Sequence, residues 1–329
     1  MTENSPSMLA DCHLHLEGCL PEETVRELAR RIGHRFAAAD AFAEARAAVT
    51  DSAGFLALYA EVCRLFRGPD DYAEAAAAVA ARLAGDGLSH AEVYVSPEIF
   101  TRLGLPAAEC LAAVAAGFER APEGTRCRIL LDSVRQWGPE SAHRVLDLYE
   151  SRPLPSIVGF GLGGDEASYP AAAFADVYLR ARALGLRTSV HAGEWAGASS
   201  VAEALDALRP DRIDHGIAAA SDARLLRRLA EEGTVLCVAP SSNRVTRAVP
   251  SLAAHPLSRL LAAGVRVAIA ADDPLFFDTT TRREYGLLRG ELGVSPADRR
   301  RCAENSWRGA FCSPEERRAG LAALAAADV

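Results

Sequence analysis

Short runs of β-branched and apolar residues alternate along this chain with longer alanine- and leucine-rich stretches whose apolar positions recur at helical spacing. Such alternation predicts repeated strand–helix units and a parallel sheet. Eight strands are predicted: MLADCHLHL near residue 8, AEVYVSP near 91, RILLDSV near 128, SIVGFGL near 156, RTSVHAG near 187, RIDHGI near 212, VLCVAPS near 235 and VRVAIAA near 265. Eight strands fit an α/β fold closed as a (β/α)8 barrel of the TIM type. Helix starts are marked at Pro21-Glu22-Glu23, Pro139-Glu140-Ser141, Pro170 and Ser221-Asp222, where an acidic or hydroxyl side chain can meet free backbone N–H groups.

Between the first two strands, residues 21–85 are more helical sequence than one crossover needs, so a helical cap over the barrel is expected. Helical segments beyond the eighth strand, from Ser295 and from Ser313, are expected to wrap the C-terminal side. With no linker and no internal repeat, residues 1–329 are expected to form one domain.

Composition narrows the partners. The formal charge is −8, from 36 basic and 44 acidic residues, which gives no broad cationic surface for nucleic acid or an anionic membrane. A small neutral or cationic partner fits better. Every basic residue is arginine, so a metal pair bridged by a carbamylated lysine is excluded. The eight cysteines are scattered without a CxxC pair, as in a reduced cytoplasmic protein. The N-terminal segment has no basic region followed by an apolar core, and no apolar stretch approaches the length of a membrane span.

The chemistry gathers at predicted strand ends. HLHLEG (residues 13–18), HAGE (191–194), DHG (214–216) and ADDP (271–274) each follow a strand, and strand ends distant in sequence converge on one rim of a barrel. His13 and His15 are two apart, so both imidazoles face the same side of their strand and can share one metal. With His191 and Asp272 they complete a three-histidine, one-carboxylate set suited to a single Zn2+, leaving a position for water. Glu194 lies in the turn after His191, where its carboxyl can serve as general acid and base. His215, at the end of the RIDHGI strand, is placed either to orient a metal-bound hydroxide or bear on its charge, or to serve a structural role. The HxE triplet at His15–Glu17 also occurs in the cytidine-deaminase zinc fold, but the PCxxC that must follow is absent.

These motifs, with GFGLGGDE (159–166), PSSN (240–243) and ADDPLFFDTT (271–280), resemble the adenosine deaminase family of the amidohydrolase superfamily across nearly the whole chain. The resemblance implies a zinc barrel enzyme that replaces the 6-amino group of a purine by oxygen. It also implies that Glu194 protonates N1 of the base, Asp273 meets N7 and the backbone N–H of Gly164 meets N3. Adenosine or a related nucleoside is the leading substrate expected. Free adenine is the alternative, with a pathway-specific nucleoside such as aminodeoxyfutalosine and a different mononuclear amidohydrolase reaction behind it.

Glu17 stands where nucleoside deaminases commonly carry aspartate facing the ribose 5′ side, and with Asp214 it is similar to members acting on free adenine. Phe55 and Tyr59 recur at helical spacing within residues 52–66 and are expected either to close an apolar lid over the substrate or to pack in the core. Gly161 and Tyr94 depart from the family pattern, which has an acid and often an arginine there. His34, His90, His143 and His255 are expected to lie away from the site. Asp165 and Glu166 are expected to cap the loop after the fourth strand.

Overall fold

The computed structural model describes residues 8–326, so the N-terminal segment read above lies partly outside the described residues. Eight parallel strands run in chain order around the sheet: β1 Leu9–His15, β2 Leu88–Val95, β3 Arg126–Val134, β4 Ile157–Gly163, β5 Arg187–Ala192, β6 Arg212–His215, β7 Val235–Val238 and β8 Arg266–Ile269. All eight coincide with predicted segments. The ring closes where Leu14 bridges Asp272: the Asp272 N–H donates to the His13 carbonyl at 3.1 Å, and the His15 N–H to the Asp272 carbonyl at 3.1 Å. Closure therefore places the residue after β8 directly beside β1.

Helices begin at three of the four predicted starts, and a side-chain cap forms at one of them. Asp222 accepts from the backbone of Arg224 and Leu225 at the head of the helix Ala223–Glu232. Pro170 opens a short 3-10 turn rather than the helix itself, which begins at Ala175. Residues 21–85 become the helices Glu22–Ile32, Ala41–Ala47, Ser52–Cys63 and Pro69–Gly85. The helix Ser52–Cys63 carries Phe55, whose ring packs between Phe276 and Phe277 at centroid distances of 5.6 and 5.0 Å. This contact seats the cap on the segment that follows β8.

Inside the barrel, a buried ion pair lies beneath the site: Arg212 meets Glu92 at 2.6 Å, and His90 contacts the same carboxylate at 2.9 Å. Two charges taken out of water need each other and further hydrogen bonds, and Arg212 also donates to the carbonyls of Cys12 and Gly309. The helices Pro296–Gly309 and Pro314–Ala325 wrap the opposite end, where the Trp307 indole donates to the Met8 carbonyl at 2.9 Å. All eight cysteines are unpaired, and no described helix is long and apolar enough to cross a membrane.

Candidate metal centre and active site

His13 and His15 leave β1 on one face, His191 ends β5, and Asp272 follows β8. Their ligating atoms converge. His13 Nε2 lies 3.3 Å from His15 Nε2 and 3.0 Å from His191 Nε2, and Asp272 Oδ1 lies 3.4 Å from both His13 Nε2 and His15 Nε2. A neutral imidazole nitrogen carries one proton at most, so His13 Nε2 cannot satisfy three such neighbours by hydrogen bonding. A cation can: ligands about 2.0–2.2 Å from a tetrahedral centre stand about 3.3–3.6 Å apart. The residues present fit one divalent metal.

Burial, then repulsion from His191, holds His13 well below the usual histidine range and His15 at about 3, so both rings keep their lone pairs free. Asp214 sits behind two of these rings, with carboxylate oxygens 3.8 Å from His13 Nδ1 and 3.7 Å from His191 Nδ1. A carboxylate there favours the proton on Nδ1 and leaves the Nε2 lone pair facing the point where the donor atoms converge. Asp214 is held in turn by hydroxyl donation from Tyr94 and from Ser189, the latter at 2.8 Å.

Tyr94 and Gly161 prove to be one feature. A Cβ added at Gly161 would lie 2.3 Å from Tyr94 Cε1, so the tyrosine ring occupies the space an acidic side chain would need. The same ring stacks on His15, with centroids 5.0 Å apart and planes 24° apart. The two departures from the expected pattern thus fit each other, and the tyrosine that Gly161 makes room for contacts both Asp214 and His15.

Glu194 is buried, and its carboxyl is raised well above the usual range by burial and then by the charges of Asp272 and Glu166. A carboxyl shifted in that direction holds its proton more readily and can donate it. Its Oε2 lies 3.4 Å from His215 Nε2, which is also 3.8 Å from Asp272 Oδ2. His215 and Asp272 both adopt φ of 62°, a left-handed backbone rare outside glycine that turns each side chain off its strand into the mouth.

The loop carrying Glu194 is fixed by Glu166. That carboxylate accepts from the backbone N–H groups of Gly193, Glu194, Trp195 and Ala196 and from the Ser200 hydroxyl. It organises the loop after β5, where the sequence suggested its own loop after β4. Arg135, buried, donates to the His191 carbonyl and to that of Tyr169.

A cavity of about 390 Å³ opens above these groups, lined by His15, His191, Glu194, His215, Asp272 and Asp273, with Gly164 on one wall and Phe55 and Tyr59 on the lid side. Asp273 is buried, and burial followed by the adjacent Asp272 charge raises its carboxyl well above the usual range. Gly18 is needed beside it, because a Cβ there would lie 1.8 Å from Asp273 Oδ1. Gly164 has φ of +93°, and a Cβ would meet Gln136 Oε1 at 2.3 Å. Glu17 is not on the cavity wall: it is buried behind Tyr59, whose hydroxyl donates to it at 2.7 Å.

Two further groups escaped the sequence reading. Asp132, near the end of β3, lines the cavity, accepts from Ser96 at 2.6 Å and is pushed up to about 6 by burial. An acid near a strand's C-terminal end was the available signal. His255, expected away from the site, is buried and joined through Asn243 to His215.

The adenosine deaminase family model matches residues 8–327. An adenine deaminase of Rhizobium leguminosarum bv. trifolii is 39% identical over 319 residues, covering 95% of this chain and 98% of its own. One from Rhizobium meliloti is 38% identical over 318 residues, covering 96% and 97%. The crystal structure of an adenine deaminase from Arthrobacter aurescens superposes with a TM-score of 0.92 at 33% identity, over 97% of this chain and 98% of that one. An amidohydrolase from Burkholderia ambifaria with bound Zn superposes with a TM-score of 0.89 at 28% identity, over 97% and 89%.

Proposed function

The chain belongs to the adenosine deaminase family, and we propose that within it this enzyme takes free adenine as substrate and Zn2+ as metal. It is a metal-dependent hydrolytic deaminase of a 6-aminopurine. Its full-length likeness to relatives named adenine deaminase carries the choice of base over nucleoside, and adenosine, placed first from the sequence, gives way. The Glu17–Tyr59 bond supports the same choice, since the acid at the position associated with the ribose 5′ side is already engaged and lies behind the wall.

His13, His15, His191 and Asp272 would hold the metal, one per chain. When bound, a divalent cation lowers the pKa of water from about 15.7 toward 7 and so supplies hydroxide at neutral pH. The remaining steps fall to side chains. Glu194, in its acid form, donates to N1 and makes C6 electrophilic. The carboxylate left behind takes the proton of the oxygen added at C6 and passes it to the amino nitrogen, which leaves as ammonia and yields the 6-oxopurine. His215 donates to the attacking oxygen. Asp273 meets N7, and the Gly164 N–H meets N3. Phe55 and Tyr59 exclude water from the lid side.

Ammonia release from adenine by the zinc-loaded protein, with Glu194→Ala as blank, tests this reading. Release that disappears in the variant is expected. Release that persists in it, or none from adenine while another purine is deaminated, overturns the assignment.

A further inference from the structure

Behind His215 runs a line of hydrogen bonds that begins at a backbone amide. The Leu257 N–H, first in the helix Leu257–Ala262, donates to His255 Nδ1 at 3.2 Å. His255 Nε2 lies 3.2 Å from Asn243 Oδ1, and Asn243 Nδ2 lies 3.1 Å from His215 Nδ1. All three side chains are buried.

A backbone N–H only donates, so the direction of each later bond follows from the first. His255 Nδ1 accepts, hence its proton sits on Nε2 and is donated to Asn243 Oδ1. The amide then presents its N–H to His215, whose Nδ1 accepts and whose own proton must sit on Nε2. The flipped amide fails, because Asn243 Nδ2 would face His255 Nε2 and that ring would have to accept at both nitrogens. Burial lowers His255 to about 4, in keeping with a neutral ring at pH 7.

We infer that His255 is a positioning residue that acts through Asn243 to fix His215 as its Nε2–H tautomer, so that His215 offers the reacting centre a donor and not a base. The geometry on the other side agrees: His215 Nε2 faces Asp272 Oδ2 at 3.8 Å and Glu194 Oε2 at 3.4 Å, and a carboxyl group keeps an accepting oxygen in its acid form as well as when ionised. His215 cannot gain a proton at Nδ1 without breaking the Asn243 bond. Proton traffic at the purine is thereby confined to Glu194, a consequence that rests on the proposed deaminase reading.

Long-range 1H–15N spectra of the 15N-histidine-labelled protein, without substrate and both metal-free and zinc-loaded, test the tautomer directly, with His215 assigned by loss of its signals in His215→Asn. The wild-type ring is expected to carry an unprotonated Nδ1. His255→Leu, which frees Asn243 to turn over, is expected to move His215 to the Nδ1–H form or a mixture, and to lower kcat about 10- to 100-fold with KM little changed. His255→Gln, whose amide can still donate to Asn243, is expected to keep the wild-type tautomer and recover kcat. Asn243→Asp, an acceptor at both ends, is expected to force Nδ1–H. A wild-type His215 protonated at Nδ1, or a tautomer unmoved in both His255→Leu and Asn243→Asp, overturns the inference. A wrong substrate would silence the kinetics of every variant, wild type included, and leave the spectra readable.

Discussion

Glu166→Gln should loosen the loop that carries Glu194 without leaving a hole, since the two side chains have nearly the same shape. The carboxylate accepts four backbone N–H groups and one hydroxyl, divided between its two oxygens. Glutamine has only one accepting oxygen. Its least damaging pose keeps the oxygen on Glu194, Trp195 and Ala196 and turns the amide nitrogen toward Gly193 and Ser200, where the serine hydroxyl can reverse its role but the Gly193 N–H cannot. One charge-assisted bond of about 1.5–3 kcal/mol is lost, and three others weaken by about 1 kcal/mol each as the charge disappears, giving roughly 4–6 kcal/mol before relaxation. An unfolding entropy of about 2.1 cal/mol/K per residue over the chain is about 0.7 kcal/mol/K, so Tm should fall by roughly 5–9 °C. Displacing Glu194 by about 1 Å should also lower kcat about 10²-fold. Calorimetry and steady-state ammonia release on the zinc-loaded variant check both. A Tm shift below about 2 °C with kcat unchanged would refute the reasoning, because the five bonds would then contribute little.

Gly161→Ala should destabilise the chain by about 1–3 kcal/mol through collision with Tyr94, and Tyr94→Leu should remove most of that penalty; a double-mutant cycle in urea with no coupling would contradict the pairing. Glu284 is pushed up to about 7 by burial, so between about pH 4.5 and 7 the folded chain binds more protons than the unfolded one, and stability falls as pH rises through that window. Glu284→Gln should flatten that decline in a Tm series across the same range. Chelation should abolish ammonia release and, for a metal held at about 10³ times its Kd, lower Tm by about 6 °C through the loss of about 4 kcal/mol of linkage; one equivalent of Zn2+ per chain should restore both.

The barrel was legible because its strands are short apolar runs separated by helical periodicity, a local signal that burial on both faces reinforces. The cluster of His13, His15, His191 and Asp272 was legible for a topological reason: each lies at a strand end, and closing the barrel brings strand ends together wherever they fall in sequence. Contacts that depend on reach across the rim were not. Glu166 sits in one loop and holds the next, 27 residues on for Gly193, with no period to announce it. Asn243 and His255 look like a family motif and a spare histidine until the short 3-10 turn Leu252–Ala254 folds them together. Glu17 was visible as a departure, but its burial depends on Tyr59 arriving from the cap, 42 residues away.

The ratio of kcat/KM for adenine to that for adenosine, measured on one zinc-loaded preparation by ammonia release, tests the central claim most directly. The account predicts that adenine is favoured by about 10²-fold or more, because the acid associated with the ribose side is committed to Tyr59. Equal values, or a preference for adenosine, would contradict it.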